Sequence, residues 1–394
     1  MASSLGLAAA LVGMLAAGLW IGGHPAKMPP VLREVFVDSS AGLAAEATEL
    51  IEDNYYRPVS EGDLINSSLR GMVRNLRRTH HDRFSEYFSP SMLERFNEEI
   101  SGRFSGVGIE ISPVKRGFRA ARVFPGSPAA KAGIVAGDVI VSADGHPIAG
   151  ESVGRARTRI VGPEGTKVTL GVVRPPSRRV RKITVTRAEI RPPDTLTRVI
   201  HVRGHTLGYV RYGSFTEDSS GELRRAVRRV EKKGAQGIVL DLRGNGGGFL
   251  DEAVADAGIF LPEGEVVVST NSRTQGHAVY KTHGDSLPSV PLVVLIDRNT
   301  ASAAEILTAA LADDAGAKVV GTRSYGKGVF QQEVDLSNGG ALKLTIGEYF
   351  TPAGKNLAGT GIHPDVRARD LPGTPQDEAL QRALGVLGAE QALE

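Results

Sequence analysis

The segment LVVLIDRNTASAAEI, residues 292–306, gives the clearest indication of the fold class in this chain of 394 residues. Leu292 to Ile296 is an unbroken apolar run of strand length, and a helix is predicted from Ala303. Such a run is typical of a strand that is buried on both faces of a sheet. The sequence therefore predicts a helix-covered sheet, with a strand-to-helix turn just before Ala303.

Strand and helix patterns alternate along the same half of the chain. Leu207 to Val210 and Gly237 to Leu242 are apolar runs of strand length, and a helix is predicted around Gly221 to Lys233. Gln376 to Leu393 is predicted to form a closing helix. Alternation of this kind indicates an α/β core with a mixed sheet, which we place in residues 190–394.

The first half of the chain has two other patterns. Residues 31–100 carry apolar positions at helical spacing, as in Leu64 to Arg78, which predicts a small helical region. Residues 101–189 consist of short alternating runs broken by glycine, such as Lys167 to Val173, which predicts a compact β-rich module. The predicted fold is therefore a multidomain α/β protein.

An apolar segment stands at the N-terminus. Leu5 to Gly23 is uncharged, and at about 1.5 Å per residue it can cross the roughly 30 Å hydrocarbon core of a bilayer. No lysine or arginine precedes it, and no small-residue cleavage site follows it directly. We expect residues 1–24 to be a membrane anchor on an exported chain, in the periplasm or at the cell surface. If the segment is instead a cleaved signal peptide, the chain is secreted.

Composition excludes several functions. The chain has 47 basic and 44 acidic residues, and its basic stretches, such as Arg178 to Lys182, lack interleaved aromatic residues, so nucleic acid is not expected as a partner. There is no cysteine, which excludes thiol catalysis, disulfide bonds and thiolate metal sites. We expect neither a metal nor another cofactor.

Ser302 stands at the predicted strand-to-helix turn. A hydroxyl there lies beside unpaired backbone N–H groups and the positive end of the helix dipole, which stabilise a developing oxyanion. Serine is also a common N-cap, so the position alone does not distinguish a nucleophile from a helix cap. A nucleophilic serine additionally needs a base within reach.

Lys327 is the candidate base. It lies in a glycine-flanked turn, SYGKGVFQ at residues 324–331, whereas the nine histidines are scattered and suggest no triad. A lysine with its ordinary pKa of about 10.4 is almost fully protonated at pH 7, so the site must lower that pKa by about three pH units. Burial in an apolar pocket can do this, and Ser/Lys dyads use it.

Two glycine-rich stretches allow competing interpretations. Gly321 to Lys327 fits the first seven positions of a phosphate-binding loop, but Gly328 cannot supply the hydroxyl that holds Mg²⁺. DLRGNGGG, residues 241–248, follows a predicted strand and could bring bare N–H groups to an oxyanion, or it could be only a tight loop. Its glycines do not form a dinucleotide-binding pattern.

Together these stretches resemble the carboxyl-terminal processing peptidases, serine peptidases with a Ser/Lys dyad and an inserted PDZ domain. The matching pieces follow in order: DRFSEY at 82–87, FSGVGI at 104–109, DLRGNGGG at 241–248, TASAAEI at 300–306, GKG at 326–328 and GIHPDV at 361–366. GSPAAKAGIVAGDVI, residues 126–140, is similar to the middle of a PDZ domain. The resemblance identifies residues 101–189 as this domain.

The resemblance implies roles for individual residues. Ser302 would be the nucleophile, Lys327 the general base, and Gln331 the residue that orients the lysine. The oxyanion hole would combine the backbone of Ala303 with one of three glycines: Gly246, Gly247 or Gly248. The chain departs from the family pattern at Ala304, where a second serine is common, and at Gly244 and Gly246, which replace larger residues of the glycine loop. Neither departure removes a needed functional group.

Partners also follow from the resemblance. The PDZ domain would hold the C-terminal carboxylate of a polypeptide substrate through a loop of four residues: Gly106, Val107, Gly108 and Ile109. The rest of the substrate would add as a strand to the edge of the domain. The implied protein is a serine endopeptidase that cleaves near C-termini and dimerises through its helical N-terminal region. The alternative is a silent, membrane-anchored PDZ scaffold that only binds C-terminal tails.

Overall fold

A computed structural model describes residues 39–202, 204–287, 290–370 and 376–390. The chain divides into two units. The N-terminal unit comprises the described residues up to Ser91 and Gln331–Thr345, and the main unit comprises Met92–Phe330 and the described residues from Ile346 onward. The predicted anchor, Leu5 to Gly23, lies outside the described residues. Across the described ranges, no helix combines the length and apolar character that a membrane span requires.

The N-terminal unit confirms the predicted helical region. Helix α1 spans Ser39–Asn54 and α2 spans Glu61–Thr79. The hydroxyl of Ser60 caps α2 by accepting the N–H of Asp63. A short strand, β1 (Glu86–Phe88), pairs antiparallel with the beginning of β18 (Ala341–Phe350). The sequence did not predict β1, because its partner strand comes much later in the chain.

The β-rich module of the main unit follows α3 (Pro90–Ser101). Its antiparallel sheet has the order β3-β4-β5-β7-β8, with β6 paired to β5. Strands β2 and β9 pair with each other where the chain enters and leaves the module. The elements are β2 (Phe104–Gly106), β3 (Ile109–Val114), β4 (Gly117–Val123), α4 (Pro128–Lys131), β5 (Val139–Ala143), β6 (His146–Pro147), α5 (Val153–Ile160), β7 (Lys167–Val173), β8 (Val180–Thr186) and β9 (Ala188–Ile190).

A mixed six-stranded sheet forms the α/β core, as predicted. Its order is β10-β11-β12-β15-β16-β19, in which β10 and β11 are antiparallel and the later neighbours are parallel. The strands are β10 (Thr195–Val202), β11 (His205–Tyr212), β12 (Gly237–Asp241), β15 (Leu292–Ile296), β16 (Lys318–Gly321) and β19 (Val366–Arg367).

Helices cover both faces of this sheet. Leu240 and Val294 point to the face covered by α6 (Ser219–Glu231), α7 (Leu250–Phe260) and α8 (Ala303–Asp314). Val239 and Leu295, which are adjacent to them in the two strands, point to the opposite face, where α9 (Glu378–Glu390) packs. Because successive residues of a strand face opposite sides, a strand covered on both sides is apolar throughout.

A second sheet flanks this core. Strand β13 (Val266–Ser272) pairs antiparallel with β14 (Gly276–Lys281) on one side and with the last residues of β18 on the other. Strand β17 (Val329–Asp335), which pairs with β18, begins in the main unit and ends in the N-terminal unit. The sequence patterns did not predict this sheet.

An ion pair between a buried aspartate and a partly exposed arginine stabilises the β-rich module. The side chain of Asp138 is 1% exposed and accepts Nε of Arg174 at 2.8 Å, Nη2 of Arg174 at 2.9 Å and the N–H of Val135 at 3.0 Å. Burial opposes ionisation of this carboxyl, but the hydrogen bonds from Arg174 and Val135 outweigh it, so the pKa of Asp138 lies below its ordinary value.

We expect this pair to make the stability of the module depend on pH. Because the pKa is lower in the folded state, the stabilisation is complete above the ordinary value of 3.8 and is lost as pH falls through the folded-state pKa. Arg174→Met should destabilise the module at pH 7, and the destabilisation should shrink progressively as the pH falls below 3.8. Hydrogen exchange of β5 and β7 amides measures this, with Arg178→Met as control. A difference that does not change with pH would contradict the assignment.

Candidate active site

Three loops meet at one edge of the α/β sheet. They follow the carboxyl ends of neighbouring parallel strands: residues 242–248 follow β12, residues 297–302 follow β15 and residues 322–328 follow β16. This edge is where open α/β sheets bind their ligands. The glycine loop, the serine turn and the lysine turn predicted from the sequence therefore lie side by side.

Ser302 has a strained backbone. It directly precedes α8, and its dihedral angles are φ 57° and ψ −122°. Residues that carry a side chain rarely adopt positive φ, and a serine that only caps a helix normally has an extended backbone. Such strain is typical of functional residues, including nucleophiles on sharp strand-to-helix turns.

The carboxylate of Glu305 holds the serine turn and the lysine turn together. The residue is fully buried. Its Oε2 accepts the N–H of Ser302 at 3.0 Å and the N–H of Lys327 at 2.9 Å. Its Oε1 accepts the N–H of Gly326 at 2.8 Å and the hydroxyl of Ser324. A carboxylate buried away from water requires such a full set of donors.

This shared acceptor fixes the separation of the two predicted catalytic residues. Because the backbone nitrogens of Ser302 and Lys327 bind the same oxygen, they lie no more than about 6 Å apart. Lys327 is half-buried, and its flexible four-carbon stem is long enough to span a separation of this size. The fold therefore brings together two residues that the sequence separates by 25 positions.

Glu305 received no role in the sequence analysis, although a signal was present. Ser302 and Glu305 have the S-x-x-E spacing of a capping box, in which the glutamate reaches back to the N–H of the first residue. The bond from the N–H of Ser302 to Glu305 is that interaction. The bonds from the lysine turn to the same carboxylate are tertiary and leave no local pattern.

The glycines around Lys327 are required by close packing. At Gly326, a Cβ would lie 2.9 Å from the nitrogen of Gly361, and at Gly328 it would lie 2.4 Å from the nitrogen of Ala358. The hydroxyl of Ser324 also accepts the N–H of Ile362 at 2.7 Å. After the turn the chain enters strand β17, whereas a phosphate-binding loop opens a helix, so the phosphate-binding hypothesis is wrong.

The glycine loop packs directly against the serine turn. A Cβ at Gly247 would lie 2.8 Å from the Cβ of Ser302 and 2.9 Å from the nitrogen of Ala303. The carbonyl of Asn245, which is fully buried, accepts the N–H of Ala301 at 3.0 Å. The loop is therefore part of the candidate site and not merely a tight connection.

Hydrogen bonds distinguish the backbone groups of this loop. The N–H of Gly247 donates to Oδ1 of Asn245 at 2.9 Å, and the carbonyl of Gly247 accepts the N–H of Phe215 at 3.1 Å. Ala303 is the first residue of α8, where an N–H has no acceptor within the helix. Among the described residues, the N–H groups of Gly246, Gly248 and Ala303 have no acceptor, so they are available to a bound group.

Arg243 anchors the start of the glycine loop. Its guanidinium binds Asp241 through Nη2 at 2.7 Å, Asp377 through two bonds of 2.8 Å, and Asp370 at 3.0 Å. The hydroxyl of Tyr209 donates to Asp241 at 2.7 Å, and burial together with this carboxylate raises the pKa of Tyr209 to about 12. The loop is thereby tied to the segment that leads into α9.

Gln331 belongs to the N-terminal unit. Its Nε2 donates to Oγ1 of Thr345 at 3.4 Å, and Oγ1 of Thr345 donates to Asp82 at 3.0 Å. Its expected role in orienting Lys327 stays a prediction.

The predicted carboxylate loop connects β2 to β3. Gly106 ends β2 opposite Ala188, Val107 is buried, Gly108 has a φ of 79°, and Ile109 begins β3. The carbonyls of Val107 and Gly108 accept N–H groups from residues 129 and 124. The loop therefore leads into β3, which is an edge strand of its sheet.

No group of three potential metal ligands comes together in the part of the chain that the structure describes.

Glu305→Gln should damage both stability and the site. A glutamine amide has one acceptor oxygen, and its NH₂ group would face N–H donors, so buried donors would lose their partner at about 1–3 kcal/mol each. We expect the free energy of unfolding to fall by about 3 kcal/mol and hydrolysis of a disordered polypeptide to fall at least about 100-fold.

Ser324→Ala is the matched control, because it leaves three N–H bonds to the carboxylate while removing one donor to it and the acceptor of the Ile362 N–H. We expect a loss of about 2 kcal/mol and a much smaller effect on rate. Denaturant unfolding and a peptidase assay measure both quantities. Full activity in Glu305→Gln would refute the positioning role.

Comparison with known proteins adds independent information. Residues 206–368 match peptidase family S41, and residues 119–174 match a PDZ domain. A "Probable CtpA-like serine protease" of Staphylococcus aureus (strain N315) is 35% identical over 321 residues, which are 81% of this chain and 62% of that protein. The chain thus spans less than two thirds of the length of the staphylococcal relatives it matches.

For two further relatives, the match to this chain covers a larger share of the relative's own length. The carboxy-terminal processing protease CtpA of Bacillus subtilis (strain 168) is 31% identical over 335 residues, 85% of this chain and 70% of that protein. The solved structure of a photosystem II D1 C-terminal processing protease is 29% identical, with a TM-score of 0.51 over 89% of this chain and 98% of that one. This similarity, together with the three loops at the sheet edge, shows that the chain belongs to the carboxyl-terminal processing serine peptidases of family S41.

Proposed function

We propose that this protein is a serine endopeptidase that cleaves polypeptides near their C-termini, with Ser302 as nucleophile and Lys327 as general base. The main support is the buried carboxylate of Glu305, which binds the N–H groups of both residues. The strained backbone of Ser302 supports the same role. A silent scaffold is not favoured, because tail binding alone requires neither feature.

In the proposed reaction, the neutral amine of Lys327 takes the proton of the Ser302 hydroxyl as the oxygen attacks a peptide carbonyl. The carbonyl oxygen becomes an oxyanion. The amine then gives this proton to the leaving nitrogen as the C–N bond breaks, which leaves an acyl-enzyme on Ser302. Water, deprotonated by the same amine, attacks the acyl-enzyme, and the proton returns to the oxygen of Ser302 as the ester bond breaks. Gln331, four residues after the lysine, is proposed to orient it.

We assign the oxyanion hole to the N–H groups of Ala303 and Gly248. Gly247 is the glycine that contacts the serine turn, and two peptide units flank it. In the peptide unit that joins Gly246 to Gly247, the N–H of Gly247 is already bonded to Asn245. The peptide unit that joins Gly247 to Gly248 therefore supplies the donor, which is the N–H of Gly248. The carbonyl of Gly247 in this unit accepts the N–H of Phe215. Because a trans peptide unit places its C=O and N–H on opposite sides, the N–H of Gly248 points away from Phe215.

We further propose that residues 101–189 form a PDZ domain that captures the substrate tail. The loop from Gly106 to Ile109 would bind the terminal carboxylate, and the preceding substrate residues would pair with the open edge of β3. The match of residues 119–174 to a PDZ domain supports a domain of this kind within residues 101–189.

Export and self-association complete the proposal. The uncharged run from Leu5 to Gly23 supports export and attachment to a membrane on the extracytoplasmic side.

In the N-terminal unit, α1 and α2 expose large apolar side chains, including Leu43, which is 67% exposed, and Met72, which is 61% exposed. A second copy of the chain would cover such a surface.

Removing either member of the dyad should abolish cleavage. Ser302→Ala and Lys327→Met are each expected to lower the cleavage rate of β-casein, a disordered polypeptide, at least about 1,000-fold with the fold retained by circular dichroism. Lys355→Met, at an exposed lysine, is the control. Amidation of the C-terminus of a short peptide substrate should reduce kcat/KM about tenfold. Sustained turnover in either dyad variant would reject the assignment.

Dimerisation can be tested on a chain that lacks residues 1–30. We expect sedimentation equilibrium to give a dimer at micromolar concentration and a monomer after the double change Leu43→Asp and Met72→Asp, since buried carboxylates without partners are unfavourable. Leu196→Asp, at a leucine of the main unit that is 46% exposed, should leave the dimer intact. A monomer before any substitution would exclude this interface.

A further inference from the structure

A groove of about 600 Å³ lies on the main unit between α6, α7 and β14. Its lining includes the apolar side chains of Val254, Ile259, Val279 and Tyr280. None of the residues proposed for catalysis or for tail binding lines it. The proposed function therefore leaves this groove without a role.

Strand β14 forms one wall of the groove and ends its sheet. In the ranges that the structure describes, β14 pairs only with β13. Every second residue of an antiparallel edge strand directs its N–H and C=O groups outward, away from its neighbour. An extended polypeptide can pair with such an edge, whereas a small molecule satisfies few of these groups.

The side chains along this wall and across the groove are apolar and basic. Val279 is 46% exposed, and Lys281 is exposed beside it. Across the groove, Arg224 donates to the carbonyls of Asp285 at 2.7 Å and Gly258 at 3.4 Å, which accept hydrogen bonds without neutralising its charge. A partner with alternating apolar and acidic side chains fits this lining, although Asp251 adds one acidic group.

The helix that lines the groove begins directly after the glycine loop of the candidate active site. Helix α7 begins two residues after Gly248, and Asp251 in its first turn lines the groove. The groove then follows the helix to Ile259, near its end. Eleven helical residues extend about 16 Å, which is the length of about five extended residues. A segment of a substrate bound here would remain close to the glycine loop.

We propose that this groove is a second binding site for the polypeptide substrate, at which an extended segment rich in apolar and acidic residues pairs with β14. The proposal rests on the proposed peptidase function and specifies which substrates it favours. It differs from tail capture because it requires no free carboxylate.

A binding experiment tests the site without catalysis. The protein is the Ser302→Ala variant, and the probe is a fluorescent peptide of about ten residues that alternates valine and glutamate and carries a C-terminal amide. We expect saturable binding by anisotropy, and binding at least about fivefold weaker for a peptide that alternates valine and lysine. Hydrogen exchange should slow at residues 276–281 and not at residues 109–114. Absence of binding, or protection at β3 instead, would overturn the proposal.

Val279→Glu is the diagnostic substitution, because it places an anionic side chain on the wall of the groove. We expect it to raise the Kd of the valine–glutamate peptide at least about tenfold. Val180→Glu is the matched control, since Val180 is 48% exposed on β8, an edge strand of the other module. Equal effects of the two changes would contradict a specific site in the groove.

Activity assays separate this proposal from the peptidase proposal. With Ser302 intact, Val279→Glu should lower kcat/KM for β-casein about tenfold and leave cleavage of a four-residue chromogenic peptide unchanged. If both substrates are cleaved and Val279→Glu has no effect on either, the groove proposal fails and the peptidase proposal stands. If neither substrate is cleaved by the wild-type chain, the peptidase proposal fails, and with it the role of the groove in substrate binding.

Discussion

The carboxylate of Glu305 lies at the centre of the candidate active site. A charge buried as completely as this one is costly unless every oxygen is hydrogen-bonded. The donors come from two stretches, the serine turn at Ser302 and the lysine turn from Ser324 to Lys327. Separating these stretches would leave the charge without partners, so the same interaction that satisfies the carboxylate keeps the proposed nucleophile and base together.

The parallel sheet explains why three distant stretches can form one site. Strands β12, β15 and β16 are neighbours and run in the same direction, so the loops that follow them leave the sheet at the same edge. Two of these loops are further joined by the close contact of Gly247 with Ser302, a contact that only glycine allows. Arg243 adds the segment that leads into α9 to the same framework.

Both proposed contacts with substrate use open strand edges. Strand β3 is the edge of the PDZ-like sheet, and β14 is the edge of the second sheet of the main unit. An edge strand recognises the backbone of any extended chain, and the side chains around it supply selectivity. This combination suits the proposed function, because extended polypeptide substrates differ in sequence and share an accessible backbone.

The α/β core with its mixed sheet, the β-rich module, and the candidacy of Ser302 and Lys327 could be predicted from the amino-acid sequence. These follow from local periodicity and from short motifs whose residues are adjacent in the chain. Strand β1, the second sheet and the contacts of Glu305 are seen only in the tertiary structure, and so are the hydrogen bonds from which we propose Gly248 among three glycines for the oxyanion hole. Each depends on hydrogen bonds or close contacts between residues far apart in the chain, and neither hydrophobic period nor composition records such contacts.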